Sequence, residues 1–166
     1  MNYHQVSRVK LSPSVIDCIV FWTKDPTQII EKLDLLSEYK YYFQVTINAY
    51  DKSIERNVPS KIQVIESFKK LSDKIGKEKT IWRYDPIILT DKIGIDYHCK
   101  HFDMISSKLE GYTDRCIISF VDSYKKTERN MGSIKIIPID NQKMLELGER
   151  LSEIGHKYGI NIGTCS

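Results

Sequence analysis

The chain has 166 residues, which is enough for one well-packed hydrophobic core and too few for two domains of ordinary size. Hydrophobic residues make up 41% and charged residues 28%, close to the average for globular proteins, which argues against a disordered or fibrous chain. The 25 basic and 22 acidic residues are interspersed and give a net charge of +3, so the composition gives little support to a nucleic-acid partner.

Short apolar segments alternate with longer amphipathic segments along the chain. The short segments predict five strands, at residues 15–22, 42–47, 80–84, 115–121 and 160–164. The first is a nearly continuous apolar run, which is typical of a strand covered on both faces of its sheet. Asp85-Pro86 is expected to end the third strand.

The amphipathic segments predict four helices between these strands, at residues 25–38, 59–75, 96–109 and 141–158. Gly76, Gly111 and Gly159 follow three of the helix ends, where glycine is favoured. A long polar loop is expected around residues 124–132, and the segment 6–11 is expected to form either an added edge strand or a lead-in arm.

This alternation predicts an α/β fold in which crossover helices join parallel strands. Because such crossovers are almost always right-handed, two architectures remain open: part of a (β/α) barrel of the TIM type, or an open parallel sheet of about five strands. A complete barrel takes about 250 residues, so the chain holds roughly five-eighths of one. We therefore expect residues 1–166 to be a single α/β domain and a fragment of a longer barrel.

The sequence also bears on the cellular compartment. No apolar run approaches the ~20 residues of a membrane span, and residues 1–5 lack the apolar core of a signal peptide. The four cysteines, Cys18, Cys99, Cys116 and Cys165, are far apart and include no C-x-x-C pair. We expect a soluble cytoplasmic protein with no membrane association, whose cysteines are reduced.

In both architectures ligands bind at the carboxyl ends of the strands, so the polar residues just past each apolar run form the candidate site. These residues are Thr23, Lys24 and Asp25; Thr46 and Asn48; Arg83 and Asp85; Asp122 and Lys126; and Thr164 and Cys165. We predict catalytic roles for Arg83, Asp85 and Lys24. We predict substrate-binding roles for Trp22, Thr46, Asn48, Asp122 and Lys126.

Arg83 and Asp85 are two residues apart on a predicted strand, so they share one side of it and are expected to lie near Lys24. A guanidinium group suits a carboxylate or phosphate ligand, and Asp85 is suited to orient the guanidinium or to act as an acid or base. A structural ion pair at the rim of the sheet is an equally weighted interpretation. Lys24 is open to two interpretations as well, an anion ligand or a solvated side chain.

Other chemical patterns are weaker. His98, Cys99 and His101 are placed on one helix, but a fourth metal ligand is missing, so we predict no metal site in this chain. Tyr41, Tyr42 and Phe43 are interpreted as packing residues, not as a platform for bases. No glycine-rich phosphate loop and no spacing typical of a nucleophile with its base is found.

Five segments of the chain carry a resemblance: residues 15–26 (VIDCIVFWTKDP), 81–87 (IWRYDPI), 96–98 (DYH), 116–120 (CIISF) and 164–165 (TC). Together they resemble a known bacterial family, the domain of unknown function 1848. The resemblance covers nearly the whole chain. It implies full-length relatives about twice as long, which are similar to radical S-adenosylmethionine enzymes and end in a cysteine-rich segment.

An iron–sulfur cluster of that kind needs three closely spaced thiolates, and the four cysteines here do not have that spacing. The resemblance therefore implies a central barrel fragment that holds no cofactor itself, while S-adenosylmethionine and the cluster belong to the full-length protein. Two other functions remain open: a module that binds a small anion such as a phosphate or sugar acid without catalysis, and a repair-type protein associated with nucleic acid.

The expected assembly follows from the expected fold. A five-stranded sheet that does not close leaves two edges with unpaired backbone groups, and natural proteins cover such edges. We therefore expect a homodimer formed through the sheet edges, or capping of an edge by residues 1–11.

Overall fold

The computed structural model describes residues 9–121 and 135–164, and its elements follow the predicted alternation. The strands are β1 (Ile19–Thr23), β2 (Tyr41–Thr46), β3 (Thr80–Ile87), β4 (Arg115–Phe120) and β5 (Asn161–Thr164). The helices are α1 (Thr27–Ile30), α2 (Lys61–Ile75), α3 (Ile95–Leu109) and α4 (Asn141–Lys157). All strand pairs are parallel and the spatial order is β1-β2-β3-β4-β5. This confirms the α/β class and is consistent with both expected architectures, the partial barrel and the open sheet.

Side chains alternate between the two faces of the sheet, and one face packs against the helices. Its central residues are Phe43 and Val45 of β2, Trp82 and Tyr84 of β3, and Cys116 and Ile118 of β4. They share one core with Phe68 and Leu71 of α2, Phe102 and Ile105 of α3, and Leu147 and Leu151 of α4. The sequential strand order explains this arrangement, because right-handed crossovers that always step in one direction place every helix on the same side.

The opposite face carries the alternate residues of the strands, and no described helix belongs to it. We call it the helix-free face and define it by Trp22, Gln44, Ile81, Arg83, Asp85, Ile117 and Ser119. Register places Trp22 beside Gln44, Gln44 beside Ile81, and Arg83 beside Ile117. Polar and apolar side chains are therefore mixed on this face, in contrast to the apolar face under the helices.

Helix ends are fixed by local side-chain chemistry. Ser60 caps α2 by accepting a hydrogen bond from the Gln63 backbone N–H, and the Gln63 side chain accepts one from the Ser60 N–H in return. Asp140 caps α4 in the same way by accepting from the Lys143 N–H. Gly76 ends α2 at a φ of 93°, a value that glycine adopts without strain.

The first strand differs from its prediction in its first residue and in its burial. Strand pairing begins at Ile19, not at residue 15, because β2 begins only after Lys40, whose carbonyl accepts from the Ile19 N–H. Val20 and Trp22 are 45% and 67% exposed, so β1 is not covered on both faces as its apolar composition indicated.

Two further predictions need correction. The helix expected over residues 25–38 is instead a four-residue helix, α1, followed by a 3-10 turn at Leu33–Leu36, and its β-branched residues lower the propensity for a longer helix. The third strand continues through Pro86 to Ile87, with a register irregularity after Tyr84 that accommodates a residue without an N–H.

The N-terminal edge strand is not found at residues 9–11, and residues 6–8 lie outside the described part of the chain, as does the loop expected at residues 124–132. Among the described residues, no helix combines the length and the apolar character that a membrane crossing requires.

Candidate functional site

Arg83 and Asp85 form an ion pair on the helix-free face near the carboxyl end of β3. The Arg83 Nε donates to Asp85 Oδ2 at 2.9 Å, and Nη2 donates to the same oxygen. The Arg83 side chain is almost fully buried, at 6% residue exposure, so the guanidinium depends on protein partners in place of water. The predicted shared side of the strand is therefore observed, and Asp85 orients the guanidinium.

Gln44 of β2 and Trp22 of β1 also contact Arg83. The Gln44 Oε1 accepts from Arg83 Nη1 at 2.7 Å and also from the Trp22 indole N–H. The guanidinium carbon lies 4.6 Å from the centre of the Trp22 ring, within the range of a cation–π contact. Because both of its partners are obligatory donors, the amide orientation of Gln44 is determined, with the oxygen toward Arg83.

Ser119 of β4 adds the fourth strand to this group. Its hydroxyl donates to Asp85 Oδ2 at 3.5 Å, so this oxygen accepts all of the hydrogen bonds that the Asp85 carboxylate receives from the described residues. Asp85 Oδ1 and the Gln44 amide Nε2 have no hydrogen-bond partner within residues 9–121 and 135–164, and neither atom is sealed from solvent. Each is therefore available to a ligand on the helix-free face.

Lys24 lies at the rim, and its partner is an acidic residue. Its Nζ forms an ion pair with Glu55 Oε1. The same Glu55 oxygen accepts from Asn48 Nδ2 at 3.2 Å, and Asn48 also donates to the Asp85 backbone carbonyl at 2.8 Å. Among the described residues, Lys24 is therefore connected to Asp85 indirectly, through Glu55 and Asn48.

A buried polar network holds the segment that follows Asp85. The Tyr84 hydroxyl lies 2.8 Å from His98 Nδ1, and His98 Nε2 lies 2.9 Å from the Ile88 carbonyl, so a neutral His98 protonated on Nε2 satisfies both contacts. Burial lowers the pKa of His98 and raises the pKa of Tyr84, which favours the neutral form of each. The Tyr50 hydroxyl donates to the Pro86 carbonyl at 2.6 Å and accepts from the Ile88 N–H.

This network gives residues 96–98 a structural role. Tyr97 donates to the Ala49 carbonyl, and Asp96 pairs with Arg150 of α4 at 2.8 Å. Together with His98, these residues attach α3 to the loops after β2 and β3 and to the last helix. The end of β3, and with it Asp85, is thus held from the helix side.

Two depressions adjoin the candidate residues. One, of about 210 Å³, lies between the end of β2 and the start of α2, and its lining includes Thr46, Asn48, Glu55 and Lys61. Burial lowers the pKa of Lys61, whose Nζ donates to the Tyr50 carbonyl. The other is a groove of about 680 Å³ at the amino-terminal half of the helix-free face, whose lining includes Gln44, Ile81, Ile117, Lys40, Lys79 and Arg115.

Neither a metal nor a cluster site is found in the described residues. No group of three His, Cys, Asp or Glu side chains within residues 9–121 and 135–164 is arranged to hold a metal ion. Cys99 and Cys116 are buried and Cys18 is exposed, and burial raises the pKa of the Cys116 and Cys99 thiols, which disfavours the thiolates that a cluster requires. The described residues therefore do not fit an iron–sulfur cluster.

The structure brings together only part of the predicted site. Trp22, Arg83 and Asp85 are in direct contact with one another or share a partner, and Asn48 reaches the backbone of Asp85. Thr46 is paired in register with Arg83 but no hydrogen bond from its side chain is found within the described chain. Thr23 and Asp25 serve the turn into α1, where Asp25 accepts from Thr27. Asp122, Lys126 and Cys165 lie outside the described residues.

Three contributors were missed by the sequence reasoning. Gln44 and Ser119 lie inside strands, and each is a polar residue at a position that alternates with buried apolar ones, a signal that points to the second face. Glu55 lies in a loop without any periodic pattern, so its pairing with Lys24 has no sequence signal.

The comparisons with known proteins give one result. No curated protein and no solved structure matches the chain. The sequence model described as Domain of unknown function (DUF1848) matches residues 1–166. On this match over all of its residues, the chain belongs to the DUF1848 family.

Proposed function

We propose that the chain is the central portion of a barrel-type enzyme whose small-molecule ligand binds on the helix-free face, with Asp85 as the carboxylate that contacts it. The observation that supports the proposal is the convergence of side chains from four adjacent strands on one point: Trp22 of β1, Gln44 of β2, Arg83 and Asp85 of β3, and Ser119 of β4. In parallel α/β proteins ligands bind at the carboxyl ends of the strands, where this group lies.

The hydrogen bonds separate the roles of these residues. Arg83 and Ser119 both act on Asp85 Oδ2, so they are positioning residues for the carboxylate. Oδ1 is left to accept a hydrogen bond or a proton from a ligand, which is the role of a general base. Lys24 is neutralised by Glu55 at the rim, so the proposal gives it no contact with the reacting atoms.

Binding of a small anion without catalysis receives less support from this arrangement. Such a module needs cationic groups directed at the ligand, whereas Arg83 and Lys24 are each paired with a carboxylate. No feature of the described residues supports association with nucleic acid, and the net charge of +3 is small for that function.

Ligand-detected NMR with a defined panel tests the proposal. The panel contains monosaccharides, sugar phosphates, carboxylic acids, amino acids and nucleosides, and saturation transfer is measured for wild type and for the Asp85→Asn variant. We expect at least one class to bind wild type and to bind D85N at least about tenfold more weakly, since a hydrogen bond to a charged group is lost.

Asp73→Asn is the matched control, because Asp73 is an exposed residue of α2 remote from the helix-free face. It should bind as wild type does. Compounds that bind D85N as tightly as wild type would contradict the proposal, and so would the absence of any hit from the whole panel.

The family resemblance supports a more specific form of the proposal, in which the full-length protein is similar to a radical S-adenosylmethionine enzyme. Because the described cysteines do not fit the cluster, its thiolates would have to come from other residues of that protein. Reconstitution of a full-length relative with iron and sulfide should then give the visible absorbance of a cluster. A reconstituted protein without that absorbance would refute the similarity to a radical S-adenosylmethionine enzyme. It would not affect the proposed ligand site, which the NMR panel tests separately.

A further inference from the structure

We propose that the ligand of the helix-free face is a neutral polyhydroxylated compound of monosaccharide size. This inference rests on the proposed function, because it names the class of ligand that the same site would take. Three observations carry it: the balance of charge at the site, the hydrogen-bonding atoms left over there, and the exposed indole of Trp22.

Among the described residues, the two cations predicted for the site are each paired with an anion. Arg83 pairs with Asp85, and Lys24 pairs with Glu55, so both of these cations have an anion within contact distance. A ligand with its own net charge would need to disrupt one of these pairs, and separating the nearly buried Arg83–Asp85 pair leaves a poorly solvated charge behind. A neutral ligand leaves both pairs intact.

The unused atoms are complementary to hydroxyl groups. Gln44 Nε2 offers two N–H donors, because its oxygen is committed to Arg83 and Trp22. Asp85 Oδ1 offers an acceptor on the neighbouring strand, and the two side chains share Arg83 as a hydrogen-bond partner. A hydroxyl group both donates and accepts, so adjacent hydroxyls of one ligand can serve the amide and the carboxylate together.

Trp22 supplies an apolar surface beside these polar atoms. Its indole is 67% exposed, although one side of the ring contacts the Arg83 guanidinium and the N–H is bound by Gln44. With one ring face against Arg83 and this much of the side chain exposed, the described residues leave the other ring face uncovered. The C–H face of a sugar ring matches that surface while its hydroxyls reach Gln44 and Asp85.

The basic rim of the neighbouring groove is the strongest argument for a charged ligand. Lys40, Lys79 and Arg115 line that groove together with Gln44, and of these Lys79 lies over the ring of Tyr41. The rim is at the amino ends of the strands, however, away from Asp85 and from the end at which parallel sheets bind ligands. The test therefore compares neutral sugars with charged analogues, because this comparison decides whether the ligand is neutral.

Tryptophan fluorescence provides a direct readout, because the chain has two tryptophans and Trp82 is completely buried. The neutral probes are the methyl glycosides of glucose, galactose and mannose. The charged probes are glucuronate and glucose 6-phosphate, and adenosine is the aromatic probe. We expect a saturable change in the exposed Trp22 signal with at least one neutral glycoside, and binding about tenfold weaker in Gln44→Ala, which removes the amide donors.

Trp22→Leu is the second variant, and its binding is measured by saturation-transfer NMR because the fluorescent probe is gone. It should bind the glycoside at least about fivefold more weakly, and D73N should bind as wild type does. Urea unfolding of each variant shows that it is folded under the conditions of the binding measurement.

Each other outcome overturns the inference. A response to glucuronate, glucose 6-phosphate or adenosine but to none of the glycosides would show that the site takes a charged or aromatic ligand, and the proposed function would stand if D85N weakened that response. Glycoside binding that Q44A and W22L do not change would place the sugar elsewhere on the protein. If D85N leaves every response unchanged as well, the proposed function itself fails.

Discussion

Arg83 and Asp85 show how a charged pair can be kept in a nearly buried position. The guanidinium has a carboxylate, an amide oxygen and an indole ring around it, and the carboxylate has the serine hydroxyl as an additional donor. Breaking such a pair from one side is costlier than removing both charges, because the remaining buried charge loses the opposite charge that compensated it.

The first prediction compares the free energy of unfolding after removal of one charge with that after removal of both. Asp85→Asn should lower it by about 1–3 kcal/mol, because Arg83 loses its charged partner. The double variant Arg83→Met with Asp85→Leu is compared with the single variants R83M and D85L. It should lose less free energy of unfolding than the two single variants lose together, and the difference should be about 0.5–3 kcal/mol. Urea titrations give the values. Strictly additive effects would show that the pair contributes nothing as a pair.

His98 makes the stability of the fold depend on pH. Burial lowers the pKa of His98 below its ordinary value of 6.5, since the charged form would lose water beside Tyr84, Tyr50 and Tyr97. The unfolded chain binds a proton at the ordinary pKa, whereas the folded chain binds it only at lower pH. The contribution of neutral His98 is therefore fully present above the unfolded pKa and is lost as the pH falls toward the folded one.

The second prediction follows from this sign. The urea midpoint should fall as the pH is lowered from about 7.5 to about 5.5, a range above the ordinary titration of carboxylates. His98→Gln should be less stable at the upper pH and should show a flatter profile. His101, whose pKa burial also lowers, is the comparison: His101→Gln should retain most of the slope if the Tyr84–His98 contact dominates. A profile that is flat in wild type would refute the assignment.

At the scale of elements, α4 contains a matched pair of glycines in different surroundings. A Cβ at Gly155 would lie 2.7 Å from the Ile160 carbonyl oxygen and 2.8 Å from Ile162 Cδ1, so the close approach of α4 to β5 requires glycine there. A Cβ at Gly148 would meet nothing within 4 Å. The same substitution in one helix should therefore have opposite effects.

The third prediction states these effects. Gly148→Ala should raise the free energy of unfolding by about 0.5–1 kcal/mol, because alanine reduces the entropy lost when the helix forms. Gly155→Ala should lower it by about 1–3 kcal/mol, because β5 must shift away from α4. Urea unfolding at one pH compares the variants directly. Equal effects at the two positions would refute the close approach.

The strands and helices whose two sides lie in different environments were predictable from the sequence. The strands β2, β3 and β4 alternate between residues that pack under helices and residues of the second face, and α2, α3 and α4 each have an apolar stripe that the core needs. The first crossover was not predictable in the same way. Its apolar residues keep helical spacing, but the backbone hydrogen bonds at Lys32 and Leu35 are of the i to i+3 type.

The candidate site was predictable only as a location. The rule that ligands bind at strand ends singled out Arg83 and Asp85. The partners of these residues depend on register, which places Gln44 beside Trp22 and Ile81 and thereby within reach of the guanidinium. The alternation of apolar and polar residues assigns Gln44 to the second face. Which residues lie side by side on parallel strands is settled by tertiary packing over long sequence separations.

At the scale of the whole molecule, the sheet has two edges. Of the described strands, β1 pairs only with β2, and β5 pairs only with β4. Val20 on β1 is 45% exposed, and Leu11, whose carbonyl accepts from the Tyr39 hydroxyl, is exposed as well. An exposed apolar residue on an edge strand favours pairing with another chain.

The fourth prediction is that the chain forms a homodimer through β1. Light scattering at low micromolar concentration should give twice the monomer mass, and Val20→Lys should shift the population toward monomer, because an edge lysine opposes pairing. Ile62→Lys is the matched control, since Ile62 of α2 is also exposed but lies on a helix away from both edges. A wild-type monomer, or equal effects of the two lysines, would contradict pairing through β1.

The alternation of side chains across the sheet makes the molecule suited to directed evolution of binding specificity. Along β2, Phe43 and Val45 belong to the core while Gln44 between them belongs to the helix-free face. A combinatorial library at Trp22, Gln44 and Ser119 would alter the helix-free face without changing a residue that the helices pack against. Selection for new ligands could then proceed on a fold whose core remains constant.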